Sequence, residues 1–120
     1  MKLQVNKCSD NIEVIPEIFK DEKNPPKFIF RHPNSSDLLK FIWGGYEIDS
    51  AVYNCFIGFE NKIELEDKDG KAINYNTFEE FVKCGLSSEI ALIFNQCKQT
   101  ISNELVKMLE EGKKTEKKSK

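Results

Sequence analysis

The stretch KFIFRHPNSSDLLKFIWGG, residues 27–45, decides the fold that we predict for this chain. At its start, Phe28 and Phe30 alternate with Lys27, Ile29 and Arg31. This alternation predicts a short, half-buried strand over residues 27–31. Pro33 ends that strand, because proline has no N–H to donate to a sheet. Residues 34–36 are all good helix N-caps, and the apolar stripe after them predicts a helix that the double glycine closes. The stretch is therefore a strand, a corner and a helix.

The segments on either side of this stretch are less regular. Residues 1–26 hold two short apolar–polar alternations, each suited to an edge strand, and then a charged loop that ends in Pro-Pro. This pattern indicates an N-terminal arm and loop. Residues 46–58 space their apolar side chains as a helix does, although their strand-forming composition leaves a strand open as the alternative. The length favours a helix of about ten residues that stops at Gly58.

The C-terminal half predicts a hairpin and two helices. Residues 61–75 alternate apolar and charged side chains around an Asp-Gly turn, which is typical of a β-hairpin. Thr77 and Glu80 form a capping box that opens a short helix. Ser87 caps the last helix, which runs to about Glu111 with an apolar residue every three or four positions. These apolar positions are Ile90, Phe94, Cys97, Ile101, Leu105 and Met108.

Together these elements predict one α+β domain, mostly α-helical, with a small antiparallel sheet or hairpin and a long C-terminal helix. Its parts are an N-terminal arm and loop (1–26), a globular domain (27–111) and a Lys-rich tail (112–120) that we predict to be disordered. The tail carries five Lys and one Glu, and the whole chain has a net charge of −2, so the rest carries −6. Because this body is acidic, we do not expect nucleic acid as a partner.

The cysteines and the N-terminus predict a cytoplasmic protein. Cys8, Cys55, Cys84 and Cys97 form no C-x-x-C pair and have one His to join them, so we predict no zinc site and no cofactor. The first residues lack the apolar core of a signal peptide. No apolar run approaches the ~20 residues that a membrane span needs. We therefore expect reduced thiols that are mostly buried as small hydrophobic groups.

Two features that carry chemistry in other proteins have simpler explanations here. His32 is the only histidine, and the Ser and Asp residues close to it are better explained as helix caps than as catalytic partners. The acidic run from Glu66 to Gly70 is similar to a calcium loop. However, a loop that starts at Leu65 or at Asp67 puts unsuitable residues at required ligand positions. We therefore predict no catalytic residue, no metal site and no enzyme activity.

The last helix is the best candidate for a binding surface. Its apolar stripe is long for a domain whose other elements are short, so we expect its second half to lack a partner within the chain and to bind another chain. The alternative is that the N-terminal arm covers it. The predicted partner-binding residues, first on this helix and then on the helix after the corner, are Leu105, Met108, Leu109, Leu39, Phe41 and Trp43.

The order of these motifs resembles the small tail assembly chaperones of long-tailed phages. The segment Lys27–Leu39 is similar to two consecutive motifs of this family. The first is a strand with the pattern Phe-x-Phe/Leu-Arg, and the second is a helix start with the pattern Ser/Thr-x-Asp-Leu-Leu. The segment Cys55–Asn76 is similar to its Gly-Trp-Glu motif and acidic Asp-Gly-Lys turn. Here Phe59 stands in place of the common Trp, and Asn74 stands in place of the common Pro. With the last helix included, the resemblance covers residues 16–110.

This resemblance implies a protein without catalytic residues or cofactors that binds the tape measure protein and helps recruit tail-tube subunits in the host cytoplasm. The resemblance also implies that a longer form can be made by a −1 ribosomal frameshift, and the Lys-rich end of this chain is compatible with such a frameshift. Self-association into a homo-oligomer is left open. The alternative from another class is a small phage or host regulatory adaptor that binds nucleic acid, through the Lys-rich tail, or another protein.

Overall fold

Residues 2–3, 10–43 and 48–118 are described by the computed structural model, with side chains as far as Glu111. The helices and small antiparallel sheets confirm the predicted α+β domain with its long C-terminal helix. In chain order the elements are β1 (Ile12–Val14), a 3-10 turn (Glu17–Phe19), β2 (Lys27–Phe30), α1 (Ser35–Ile42), α2 (Ile48–Cys55), β3 (Phe56–Glu60), β4 (Leu65–Glu66), β5 (Ala72–Ile73), α3 (Phe78–Lys83) and α4 (Ser88–Lys118).

The first three strands form one antiparallel sheet in the order β1-β2-β3. The predicted strand over residues 27–31 is confirmed as its central strand, and β1, which lies in the predicted N-terminal arm, is an edge strand of the same sheet. On the outer face, the Lys27 Nζ lies 3.6 Å from a carboxylate oxygen of Glu13 and 3.9 Å from one of Glu60, so one cation links all three strands. The inner face is apolar. Its buried residues are Val14, Phe28 and Phe30.

Aromatic rings fill the space between the sheet and the helices. Phe78 of α3 is fully buried, and its ring centroid lies 5.4 Å from that of Phe28 and 5.5 Å from that of Phe30. Helix α4 packs against α1, α2, α3 and β1. The buried side chains that α4 contributes are Ile90, Ile93, Cys97, Ile101 and Leu105. These Phe side chains therefore belong to the core.

Residues 46–58 contain a helix that is followed at once by a strand. Helix α2 ends at Cys55 and β3 begins at the next residue, so the prediction of one helix that stops at Gly58 is wrong beyond Cys55. Gly58 lies inside β3, paired with β2. The strand is favoured because it pairs with β2 and brings Phe56 and Phe59 into the aromatic core, where their ring centroids lie 4.6 Å apart. Residue spacing cannot show this pairing, since β2 is distant in the chain.

Strands β4 and β5 form the predicted hairpin. Inside the turn, the Asp67 Oδ1 accepts hydrogen bonds from the N–H of Asp69 at 2.8 Å and from the N–H of Lys71 at 2.9 Å. Gly70 has a φ of +80°, a left-handed conformation that glycine adopts without strain. The acidic run therefore serves the turn, as its Asp-Gly sequence predicts.

The last two helices begin at the caps that the sequence predicts. Thr77 Oγ1 accepts a hydrogen bond from the N–H of Glu80 at 3.1 Å. The Glu80 carboxylate accepts one in return from the N–H of Asn76 at 2.8 Å, one residue before the position that a capping box uses. At the start of α4, Ser87 Oγ accepts a hydrogen bond from the N–H of Ile90 at 3.3 Å.

Helix α4 continues to Lys118, past its predicted end at Glu111. This differs from the predicted disorder of the tail over residues 112–118, and the last two residues of the predicted tail lie outside the described residues. Lys and Glu are good helix formers, and one glycine inside a helix costs only about 1 kcal/mol, so Gly112 does not stop it. Within the described ranges, none of the helices is long and apolar enough to cross a membrane.

Candidate functional site

The corner between β2 and α1 is held by one buried carboxylate. Asp37 is 4% exposed, and its Oδ2 accepts hydrogen bonds from Arg31 Nη1 at 2.9 Å and from the Asn34 N–H at 2.8 Å. Asn34 Oδ1 accepts a hydrogen bond from the Asp37 N–H at 3.1 Å, which completes a capping box. Because the carboxylate is paired and lies at a helix N-terminus, its burial is compensated. These bonds fix the direction of α1 relative to the sheet.

Helix α1 carries apolar side chains on two faces. Leu38 and Phe41 pack against the core. Leu39, Ile42 and Trp43 are exposed, with exposed fractions of 52%, 46% and 78%. Leu39 and Ile42 are spaced i and i+3, and Trp43, the residue that caps the C-terminus of α1, follows at i+4, so the three lie together on one side of the helix. We call this set the α1 apolar face. The double glycine that was predicted to close α1 lies outside the described residues.

The α1 apolar face is suited to bind an apolar partner without covalent chemistry. Isolated exposed apolar residues are common, but a group that includes the chain's only Trp indicates an interaction site. A Trp side chain offers a large apolar area and one N–H donor, and Trp is enriched among residues that dominate binding energy. The bonds around Asp37 hold α1 in place beforehand, which reduces the entropy lost on binding.

The second half of the α4 stripe is core, not free surface. Leu105 is fully buried, and Met108 packs against the core. Leu109 is half-buried. Helix α1 packs against α4, and the corner reaches this half of α4, since Glu104 Oε2 lies 3.7 Å from His32 Nδ1. The expectation that this half has no partner within the chain is therefore wrong, because its cover lies far upstream in the sequence.

The structure thus divides the six predicted partner-binding residues. Leu39 and Trp43 lie on the α1 apolar face. Phe41, Leu105 and Met108 pack in or against the core, and Leu109 is half-buried. Ile42 was not among the six and completes the face. Its spacing of three from Leu39 is the sequence signal that identifies it. That these residues bind a partner stays a prediction.

The N-terminal arm meets α4 at a different place. Gln96 Oε1 accepts a hydrogen bond from the Glu17 N–H at 2.8 Å, and Gln96 Nε2 donates one to the Ile15 carbonyl at 2.8 Å. Pro16, between these two residues, is buried. One amide side chain therefore holds the arm about two and a half helical turns before Leu105. The described part of the arm is anchored at that earlier point of α4.

Burial keeps the thiols and one phenol of the core neutral. It raises the pKa of Cys55 to about 11 and the pKa of Cys97 to about 12. It also raises the pKa of Tyr75 to about 12, and the Tyr75 O–H donates a hydrogen bond to the Ile63 carbonyl. A thiol with so high a pKa is a poor nucleophile, so both cysteines act as small hydrophobic groups. Among the described residues, no group of three or more His, Cys, Asp or Glu side chains is placed to hold a metal ion.

The α1 apolar face is therefore the candidate site, and its assignment rests on geometry and sequence. In comparisons with known proteins, no protein-family model, no curated protein and no solved structure matches this chain.

Proposed function

We propose that this protein is a phage tail assembly chaperone, which binds the tape measure protein and helps recruit tail-tube subunits in the host cytoplasm without catalysing a reaction. The observation that carries the proposal is the exposed α1 apolar face. This face directly follows the strand and corner of residues 27–39, on which the sequence resemblance rests. The proposal thus joins a resemblance in sequence to an exposed surface at the same place in the chain.

The α1 apolar face suits an apolar stripe on a helix of the partner. Leu39, Ile42 and Trp43 rise by one helical turn, the spacing at which an amphipathic helix presents its own apolar side chains. A tape measure protein is long and aggregation-prone before the tube forms around it, so its apolar stripes need temporary cover. A contact built on one short helix buries less than the ~1,200 Å² of a stable complex, which makes the binding reversible.

Paired leucine variants test the proposal. Leu39→Ala and Leu86→Ala make the same truncation at exposed leucines, but Leu86, which is fully exposed, lies outside the α1 apolar face. We expect Leu39→Ala and Trp43→Ala each to weaken binding to a purified tape measure fragment, measured by calorimetry, by about tenfold or more. Leu86→Ala binds as the wild type does. If the wild-type chain does not bind any fragment that tiles the tape measure protein, the proposed function is wrong.

The alternative function, a regulatory adaptor that binds nucleic acid, differs from the chaperone in what it predicts for deletion of the Lys-rich tail. Deleting residues 113–120 removes a charge of +4 from the end of the chain. An adaptor that binds nucleic acid through this tail loses its salt-sensitive DNA binding in the shortened chain. A chaperone retains the tape measure fragment with unchanged affinity. One pair of titrations, with DNA and with the fragment, separates the two functions.

A further inference from the structure

One line of exposed residues on α4 carries no charge. Leu92, Asn95, Gln99, Asn103 and Val106 are all exposed, with fractions of 59% for Leu92 and 41% for Val106. At 100° per residue, all five lie within about 40° of the direction opposite the buried stripe of this helix. We call this set the α4 crest. It is the part of α4 that is farthest from the core.

One turn beyond Val106, the exposed Glu110 continues the line of the crest, but over the length of the crest the charged residues of α4 lie beside it. Between Ser88 and Lys107 they are Glu89, Lys98, Glu104 and Lys107. Two of them face the body of the protein: Lys98 Nζ lies 3.1 Å from Asp49 Oδ1, and Glu104 lies against the corner. The outward side of a surface helix usually carries the charges, whereas depletion of charge marks the centre of a protein–protein interface.

The crest is symmetric about its middle residue. Counted from Gln99, its members lie at −7, −4, +4 and +7. In an antiparallel pair of α4 helices, Leu92 therefore lies opposite Val106 of a second copy, and Asn95 lies opposite Asn103. Gln99 lies opposite its own copy. Since an amide both donates and accepts hydrogen bonds, a line of Asn and Gln is complementary to itself.

We propose that the α4 crest is an interface with a second copy of this chain, formed by two antiparallel α4 helices around a two-fold axis at Gln99. Such an axis makes the interface from the same patch on both chains, which is the commonest arrangement of homodimers. The proposal is independent of the proposed function, because the α1 apolar face lies on another helix.

The charges beside the crest favour this antiparallel arrangement. Glu89 and Lys107 are both exposed and lie on the same side of α4, each about 80° from the middle of the crest. The two-fold axis brings this side of the two helices together. Lys107 of the second copy then falls opposite residue 91, about 3 Å along the helix from Glu89. The interface therefore holds two such pairs of opposite charge.

A groove at one end of the crest gives room for the second copy. It has a volume of about 420 Å³ and lies between the 3-10 turn and α4, with Ile18, Leu92 and Gln96 in its lining. Ile18 is 45% exposed and adds apolar area to this end. Because Val106 of the second copy lies opposite Leu92, its side chain enters this groove. The interface is one helix pair about 21 Å long, so we expect a dissociation constant in roughly the micromolar range.

Charges placed on the proposed axis test the interface. Sedimentation velocity over a range of chain concentrations should show a dimer for the wild type. Gln99→Lys and Gln99→Glu each place like charges opposite each other, so each variant alone should dimerise at least tenfold more weakly. An equimolar mixture of the two should recover a dimer, because unlike charges then meet. The control is Leu86→Lys, an added charge at an exposed leucine that precedes the first residue of α4 and lies outside the crest, and it should leave the dimer unchanged.

A charge swap tests the antiparallel direction. Glu89→Lys and Lys107→Glu each create like-charge pairs across the interface and should weaken the dimer severalfold, whereas the double variant restores it. Circular dichroism of every variant confirms that the fold is intact. A wild-type chain that stays monomeric at several hundred micromolar overturns the proposal. A dimer that neither Gln99 variant weakens also overturns it, since the interface then lies elsewhere.

Discussion

Leu105 was predicted to bind a partner, but the structure makes it part of the core, and truncation distinguishes these two roles. Leu105→Ala removes a fully buried side chain between α4 and the elements that cover it. Buried Leu→Ala changes cost about 2–5 kcal/mol, from lost apolar burial and from the cavity that remains. We expect about 3 kcal/mol of lost unfolding free energy, a large part of the 5–15 kcal/mol that a small domain has.

The neighbouring residue supplies the control. Val106 is 41% exposed, and alanine has a better helix propensity than valine, so Val106→Ala should change the unfolding free energy by less than about 0.5 kcal/mol. Urea denaturation followed by circular dichroism measures both variants, at a chain concentration where the protein is monomeric. Equal midpoints for Leu105→Ala and Val106→Ala, with unchanged slopes, would show that Leu105 is not in the core.

Three further predictions follow from local geometry. Gly58→Ala should raise the unfolding free energy by up to about 1 kcal/mol, because the added Cβ meets open space within a strand. Gly70→Ala should lower the unfolding free energy by about 1 kcal/mol, because Gly70 has a φ of +80°. Thermal melts measure both variants, and the reverse order of stability would contradict the assignment of β3. The neutral thiols of Cys55 and Cys97 stabilise the fold fully below pH 9, and this stability falls as the pH rises toward their raised pKa values of about 11 and about 12. Between pH 8 and 10 the loss should be about 1 kcal/mol per thiol, and a Cys→Ala double variant should show a flatter pH profile in urea titrations. Gln96→Glu keeps the oxygen that accepts from the Glu17 N–H but loses the N–H that donates to the Ile15 carbonyl. Amide hydrogen exchange in the arm around Pro16 should therefore become faster, though less so than in Gln96→Ala. Unchanged exchange in both variants would show that Gln96 does not anchor the arm.

Signals within a few residues predicted the local structure well. Asn34, which caps α1, lies within the predicted N-cap run of residues 34–36, and the hairpin around Gly70 follows from an Asp-Gly turn. These features depend on backbone bonds between near neighbours, which the sequence shows directly. The ion pair between Arg31 and the buried carboxylate of Asp37 was not predicted, because it depends on how the corner folds back.

Signals that depend on distant packing were weaker. The burial of Leu105 requires α1 and the corner to lie over α4, and periodicity does not show what covers an apolar stripe. The strand β3 requires β2 as its partner, so spacing alone favoured one helix that continued to Gly58. For the candidate site, Leu39 and Trp43 were identified but ranked below α4. They became the first choice only when the structure showed them exposed.

The proposed function requires the tape measure protein to cover the α1 apolar face, and the only Trp of the chain reports this directly. Trp43 is 78% exposed, so its fluorescence should lie at long wavelength and be quenched readily by acrylamide. A tape measure fragment with its own Trp residues changed to Phe should shift the Trp43 emission to shorter wavelength and protect it from acrylamide, with a midpoint equal to the calorimetric one. Binding that leaves both the emission and the quenching unchanged would show that the tape measure protein does not cover the α1 apolar face.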